Sequence, residues 1–142
     1  MTALRSTLLV YEEAWNKAGR KWDIEGLADC FTEDAMFFGG RPQHCVGRAA
    51  IRDYFHSYTG IIASCTLRLR DQQQLDVAPG YFVSQGFADF SFVLADGIQT
   101  KSTVRTTLIL VQDHNEWRAR LQNFAPSPAE PPLGMSVKVA KD

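Results

Sequence analysis

The sequence predicts an α+β fold in which three N-terminal helices pack on a strongly curved antiparallel sheet, a cone-shaped half-barrel. Two observations lead there. Apolar residues recur at helical spacing as far as Tyr58, and at a spacing of two from Ala63 onward. The second half is then punctuated at Pro79-Gly80, Asp96-Gly97 and Asp113-His114-Asn115, which leaves long strands joined as a meander.

Leu4, Leu8, Tyr11, Trp15 and Ala18 step by four and three, so residues 4–18 read as an amphipathic helix closed by Gly19. Asp23 is placed to cap a second helix whose buried side is Ile24, Leu27, Ala28 and Phe31. Residues 35–38 form a short apolar strand ended by Gly39-Gly40 and Arg41-Pro42. Gly47-Arg48 opens a third helix, with Ile51, Tyr54, Phe55 and Tyr58 on one side and Gly60 as its stop. Strands are then expected toward Val77, over 81–94, over 98–112 and over 117–124. Gly86 interrupts the second of these and is the expected site of a bend. Residues 1–125 are read as one domain. Residues 126–142 are read as a tail, because Pro126, Pro128, Pro131 and Pro132 cannot pair within a sheet.

The chain of 142 residues is long enough for one real core, with 45% apolar and 22% charged residues. Its 15 basic and 16 acidic residues are scattered, so there is no footprint for nucleic acid or anionic lipid. No apolar run approaches the ~18 residues of a membrane span. Residues 1–5 lack the apolar stretch of a signal peptide, and Cys30, Cys45 and Cys65 are odd in number and widely spaced. Reduced thiols in a cytoplasmic protein are the expectation.

Asp23-Ile24-Glu25-Gly26-Leu27-Ala28 followed by Phe31-Thr32-Glu33-Asp34-Ala35 resembles the helix-to-first-strand signature of the nuclear-transport-factor-2-like superfamily. Gly47-Arg48-Ala49-Ala50-Ile51 with Tyr54-Phe55 resembles its third helix. Residues 105–111, a turn, and Trp117 to Phe124 resemble its closing hairpin. The resemblance implies a fold shared by ketosteroid isomerases, SnoaL-like cyclases, scytalone dehydratase, limonene epoxide hydrolase and the association domain of calmodulin-dependent kinase II. It is nearest to the branch labelled SgcJ/EcaC oxidoreductases. Fold alone leaves function open.

Ketosteroid isomerases use a carboxylate base and an oxyanion hole of a tyrosine and a protonated aspartic acid. The resemblance places Tyr11 at the tyrosine position, Gly39 near the base position and Thr107 near the acid position. Glycine cannot take a proton and threonine donates only a neutral hydrogen bond, so that mechanism is disfavoured. Tyr11 reads either as a pocket donor or as a core tyrosine. Trp15, Phe37, Phe55 and Tyr58 are expected as pocket walls. If they face inward, Asp89 is the acid/base candidate and Arg105 the anchor for a carboxylate or enolate; if outward, they form a solvated cross-strand pair of small energetic value. A three-residue hairpin loop (Asp96 to Ile98) would set Asp89 opposite Arg105, and a two-residue loop (Asp96-Gly97) would set it opposite Val104. Relatives in the nearest branch carry histidines where this chain has Gln122-Asn123. Asn123 can therefore fix a ligand oxygen but cannot shuttle protons near neutral pH.

His44, His56 and His114 have no metal-ligand spacing, and no G-K-[ST] or G-x-G-x-x-G is present, so neither a metal nor a cofactor is expected. The leading expectation is a small-molecule pocket protein. It would bind a hydrophobic carbonyl- or carboxylate-bearing ligand, or act on it by cofactor-free acid/base chemistry of isomerase, cyclase or dehydratase type. The rival is an association module with a vestigial pocket. A homodimer is expected, from the resemblance and from Leu108, Leu110 and Leu121 taken as surplus apolar surface on the sheet. Leu133, Met135, Val137 and Val139 alternate like a strand, and the tail is expected to pack on the partner or cap the domain.

Overall fold

The computed structural model describes residues 4–138. Three helices, α1 (Ser6–Gly19), α2 (Ile24–Ala28) and α3 (Arg48–His56), pack on one curved, unclosed sheet. Its strands are β1 (Phe31–Phe38), β2 (Cys45–Val46), β3 (Ile62–Ala78), β4 (Tyr81–Leu94), β5 (Gln99–Asp113) and β6 (Glu116–Pro126). They run in the order β2-β1-β6-β5-β4-β3. Neighbours are antiparallel except β1 and β6, which run parallel with Phe37 beside Gln122. Asp23 caps α2 as its position suggested, its carboxylate accepting from the Gly26 N–H at 3.2 Å.

The helices cover an edge as well as a face. β3 is an edge strand, and its unpaired backbone groups are taken up by α1. Asn16 accepts from the Leu67 N–H at 2.8 Å and donates to the Leu67 carbonyl at 2.9 Å, while Glu12 accepts from the Leu69 N–H at 2.6 Å. An edge satisfied in this way offers less of itself to foreign strands.

The curvature has local causes. β3 carries an irregularity between Arg70 and Gln73, where Asp71 takes a positive φ of 53°. The bulge presses against Gly86, where a Cβ would meet the Asp71 carbonyl at 2.6 Å, so only glycine fits the facing strand. Inside the bend, buried Gln72 donates to Thr106 and accepts from Ser84.

The core lies between Leu8, Tyr11, Trp15, Leu27, Phe31, Ile51 and Phe55 and the inner sheet face of Leu67, Leu69, Phe82, Ala88, Leu108 and Leu110. Leu108 and Leu110 are fully buried beneath the helices. They are core rather than surplus outer surface, which removes them from the argument for a dimer. Beyond β6 the described tail has no regular structure, and Leu133, Met135 and Val137 are 93%, 93% and 82% exposed. That segment does not cap this domain. Val139 lies outside the described residues. Among the described residues no helix is long and apolar enough to cross a membrane.

Candidate ligand-binding cavity

The open end of the cone holds a cavity of about 270 Å³. Trp15 of α1, Phe37 of β1, Tyr54 and Phe55 of α3, and Tyr58 just beyond α3 supply its helical side. Phe90 and Phe92 of β4, Val104 of β5 and Phe124 of β6 supply the sheet side. Several rings meet edge to face: Phe37 and Tyr54 have centroids 4.8 Å apart, Phe90 and Phe124 5.0 Å, and Trp15 and Phe90 5.9 Å, while Phe90 and Phe92 stack at 5.7 Å. Such edge-on pairing fixes the walls as well as filling space.

Among the described residues polar groups on the lining are few. Tyr54 Oη accepts from the Gly40 N–H at 2.7 Å. This approach depends on Gly39, since a Cβ there would collide with the Tyr54 hydroxyl. The Tyr54 and Tyr58 rings lie 5.4 Å apart, and burial, followed by the hydrogen bond with Tyr58, holds the Tyr54 phenol well above its ordinary pKa. Burial likewise pushes the Cys65 thiol up to about 12. The indole N–H of Trp15 is buried and has no acceptor among the described residues. Among the described residues no carboxylate, imidazole, ammonium or guanidinium lines the cavity.

Of the residues expected at a pocket, Trp15, Phe37, Phe55 and Tyr58 line the cavity together. The polar candidates lie elsewhere. Tyr11 is fully enclosed, donating to Gln122 Oε1 at 2.6 Å. Burial first, and the neighbouring Cys30 second, raise its pKa. Asp89 faces outward, accepting from Thr103 at 2.6 Å and from Arg70 Nε at 2.8 Å, which together hold its carboxyl below the ordinary value. The hairpin loop explains the difference. Leu94 donates to the Ile98 carbonyl and Val93 pairs with Gln99, so the loop is Ala95 to Gly97. Asp89 therefore faces Thr103, and Arg105 faces Phe87. Neither register considered from the sequence is adopted, and Asp89 and Arg105 do not enter the cavity. Arg105, Thr107 and Asn123 instead come together at a second hollow of about 400 Å³ on the outer sheet face.

Tyr54 and Phe124 are functional candidates that sequence reasoning passed over. Tyr54 stood on the apolar side of α3, in register with Tyr58 one turn on. Phe124 was hidden by a bulge: Leu110 pairs with Ala119 but Ile109 with Leu121, so Arg120 is the extra residue. The alternation of β6 shifts there, turning Gln122 and Phe124 inward and Asn123 outward.

Helices on a curved sheet around an aromatic-lined cavity define the nuclear-transport-factor-2-like class of α+β proteins. The chain belongs to the SnoaL-like domain family, which it matches over residues 11–122. No curated protein shows significant sequence similarity to it. Among solved structures, it resembles a Xanthomonas campestris protein provisionally described as a calcium/calmodulin dependent protein kinase II association domain. That match has a TM-score of 0.79 and 15% identity over 91% of this chain and 95% of the other. A Novosphingobium aromaticivorans protein provisionally described as an aromatic ring hydroxylase matches at 0.73, with 20% identity over 89% of each chain. A nuclear transport factor 2-like superfamily protein from Salmonella enterica matches at 0.69, with 18% identity over 91% and 96%. Likeness at this identity establishes the fold.

Proposed function

We propose that this protein binds a small, flat, largely apolar molecule inside the cone, with a carbonyl or hydroxyl oxygen held by the Tyr54–Tyr58 pair. The observation that carries this reading is the lining itself: aromatic walls around about 270 Å³, two phenol hydroxyls, and an indole N–H without an acceptor among the described residues. An apolar cavity with a few convergent donors is the usual form of a small-molecule site. The Tyr54 phenol, whose pKa burial raises, can orient an oxygen and stabilise charge on it but is no general base. Binding and orientation of the ligand are therefore favoured over general-base catalysis by this chain.

Titration calorimetry with 2-acetonaphthone tests the proposal. Saturable binding is expected. Val104→Trp, which fills the cavity from β5, should abolish it while the far-UV circular dichroism spectrum is retained. Tyr54→Phe with Tyr58→Phe should weaken it roughly tenfold, the scale of one hydrogen bond. Binding that survives Val104→Trp unchanged would show that the ligand sits elsewhere.

A further inference from the structure

Arg41 stands one residue beyond Gly40, itself part of the cavity lining, and its guanidinium carbon lies 4.3 Å from the centre of the Tyr58 ring. Nε donates to Ser57 Oγ at 2.7 Å and Nη2 to the Ser57 carbonyl at 3.0 Å, so a long side chain is held in one place over a cavity residue. Nη1 takes part in neither bond. Among the described residues no carboxylate lies within ion-pair distance of Arg41, nor of Arg48, Arg68 or Arg105, while Arg5, Arg20, Arg52, Arg70, Arg118 and Arg120 each have one. A half-buried, fixed, unpaired guanidinium beside an aromatic cavity is a ready anchor for an anion, and its planar fork suits a carboxylate.

From this we infer that Arg41 selects ligands with an acidic group: the aromatic body lies in the cone and a carboxylate reaches back to Arg41. The inference rests on the cavity reading given above and adds the charge of the ligand to it. It also moves the anionic contact from Arg105, on the outer face, to Arg41. Arg41 additionally covers the carbonyl end of α3 through Ser57, a structural role common for arginine at a helix C-terminus. The test must separate that role from selectivity.

Calorimetry at pH 7 and low salt compares 2-naphthoic acid with its uncharged methyl ester. The acid should bind the wild-type protein roughly tenfold more tightly, the scale of a charge-assisted contact. Arg41→Gln should remove that preference, and the ester, which offers Arg41 no charge, should lose clearly less affinity than the acid. Arg41→Lys should keep part of the preference, and added salt should weaken only the acid. Should Arg41→Gln fail to fold, the lysine variant and the wild-type salt series carry the same comparison. Equal binding of acid and ester to the wild type, or a preference that survives Arg41→Gln, overturns the role of Arg41 and leaves the cavity reading standing. If neither probe binds, the cavity reading fails and this inference falls with it.

Discussion

Tyr11 Oη donates a 2.6 Å hydrogen bond to Gln122 Oε1, tying α1 to β6 inside a region that water does not reach. Tyr11→Phe should therefore leave the buried Gln122 oxygen without a donor, at about 1–3 kcal/mol. Gln122→Leu should cost a similar amount by stranding the phenol. The double variant should lose less than the sum of the two, because each single change strands the other's partner. Urea denaturation of the four proteins gives the comparison. Strictly additive losses would mean that the pair carries no coupling.

Asp89 is predicted to act on stability rather than on ligand. Hydrogen bonds from Thr103 and then Arg70 favour its ionised form, so its pKa in the folded protein lies below the ordinary 3.8. The resulting stabilisation is present above pH 3.8 and is lost as pH falls through the lowered folded value. Because the side chain is 39% exposed, solvent screens the pair and the effect should be small. Denaturation midpoints of wild type and Asp89→Asn should differ slightly at pH 7 and converge on acidification. Affinity for 2-acetonaphthone should be the same in both. A variant that folds normally but loses binding would return Asp89 to the site.

Gly86→Ala should be costly although the added group is only a methyl. It would lie 2.6 Å from the Asp71 carbonyl and 2.9 Å from that of Arg70, and a backbone in a bulge cannot step aside as a side-chain tip can. A loss of about 1–3 kcal/mol is expected, as for other overpacked positions. A thermal melt unchanged from wild type would show that the bend does not depend on this approach.

These positions also show how far the residues themselves announced the structure. β4 was legible to its ends because Pro79-Gly80 and Asp96-Gly97 punctuate it, and its pairing with β5 runs from Tyr81 to Val93 without a register shift. Trp15, Phe55 and Tyr58 were legible as walls because helical spacing is robust to small errors of boundary. Alternation in strands has no such tolerance. One extra residue at Arg120 exchanged Asn123 for Gln122 on the inner face, and the bulge at Asp71 turned Gln72 inward. The hairpin loop began one residue earlier than the three-residue alternative, which moved Asp89 from Arg105 to Thr103. The parallel pairing of β1 with β6 joins opposite ends of the domain, and no local pattern encodes it.

The tail offers a simple deletion. From Ser127 to Val137 every residue is exposed, and Pro126 is the last of the described residues to touch the cavity. Removing residues 128–142 should leave the melting temperature of the monomeric chain unchanged, since stability follows burial and the described residues of that segment bury nothing. A fall in melting temperature that grows with protein concentration would instead show that Leu133, Met135 and Val137 pack on a second copy.

Gly39 tests whether the mouth of the cavity is built for Tyr54. A Cβ there would collide with the phenol oxygen and come within 2.7 Å of Phe37 Cε2, so Gly39→Ala must push the Tyr54 ring away from the Gly40 N–H. The cost should be about 1–3 kcal/mol, combining overpacking with a lost hydrogen bond. Binding of 2-acetonaphthone should fall with it, because the displaced ring enters the cavity. Tyr54→Leu removes the obstructing ring, so adding Gly39→Ala to that background should cost clearly less than adding it to the wild type. Denaturation and calorimetry on the four proteins measure both effects. If Gly39→Ala costs the same in either background, the clash is with Phe37 instead, and Tyr54 holds its place in the cavity independently of Gly39.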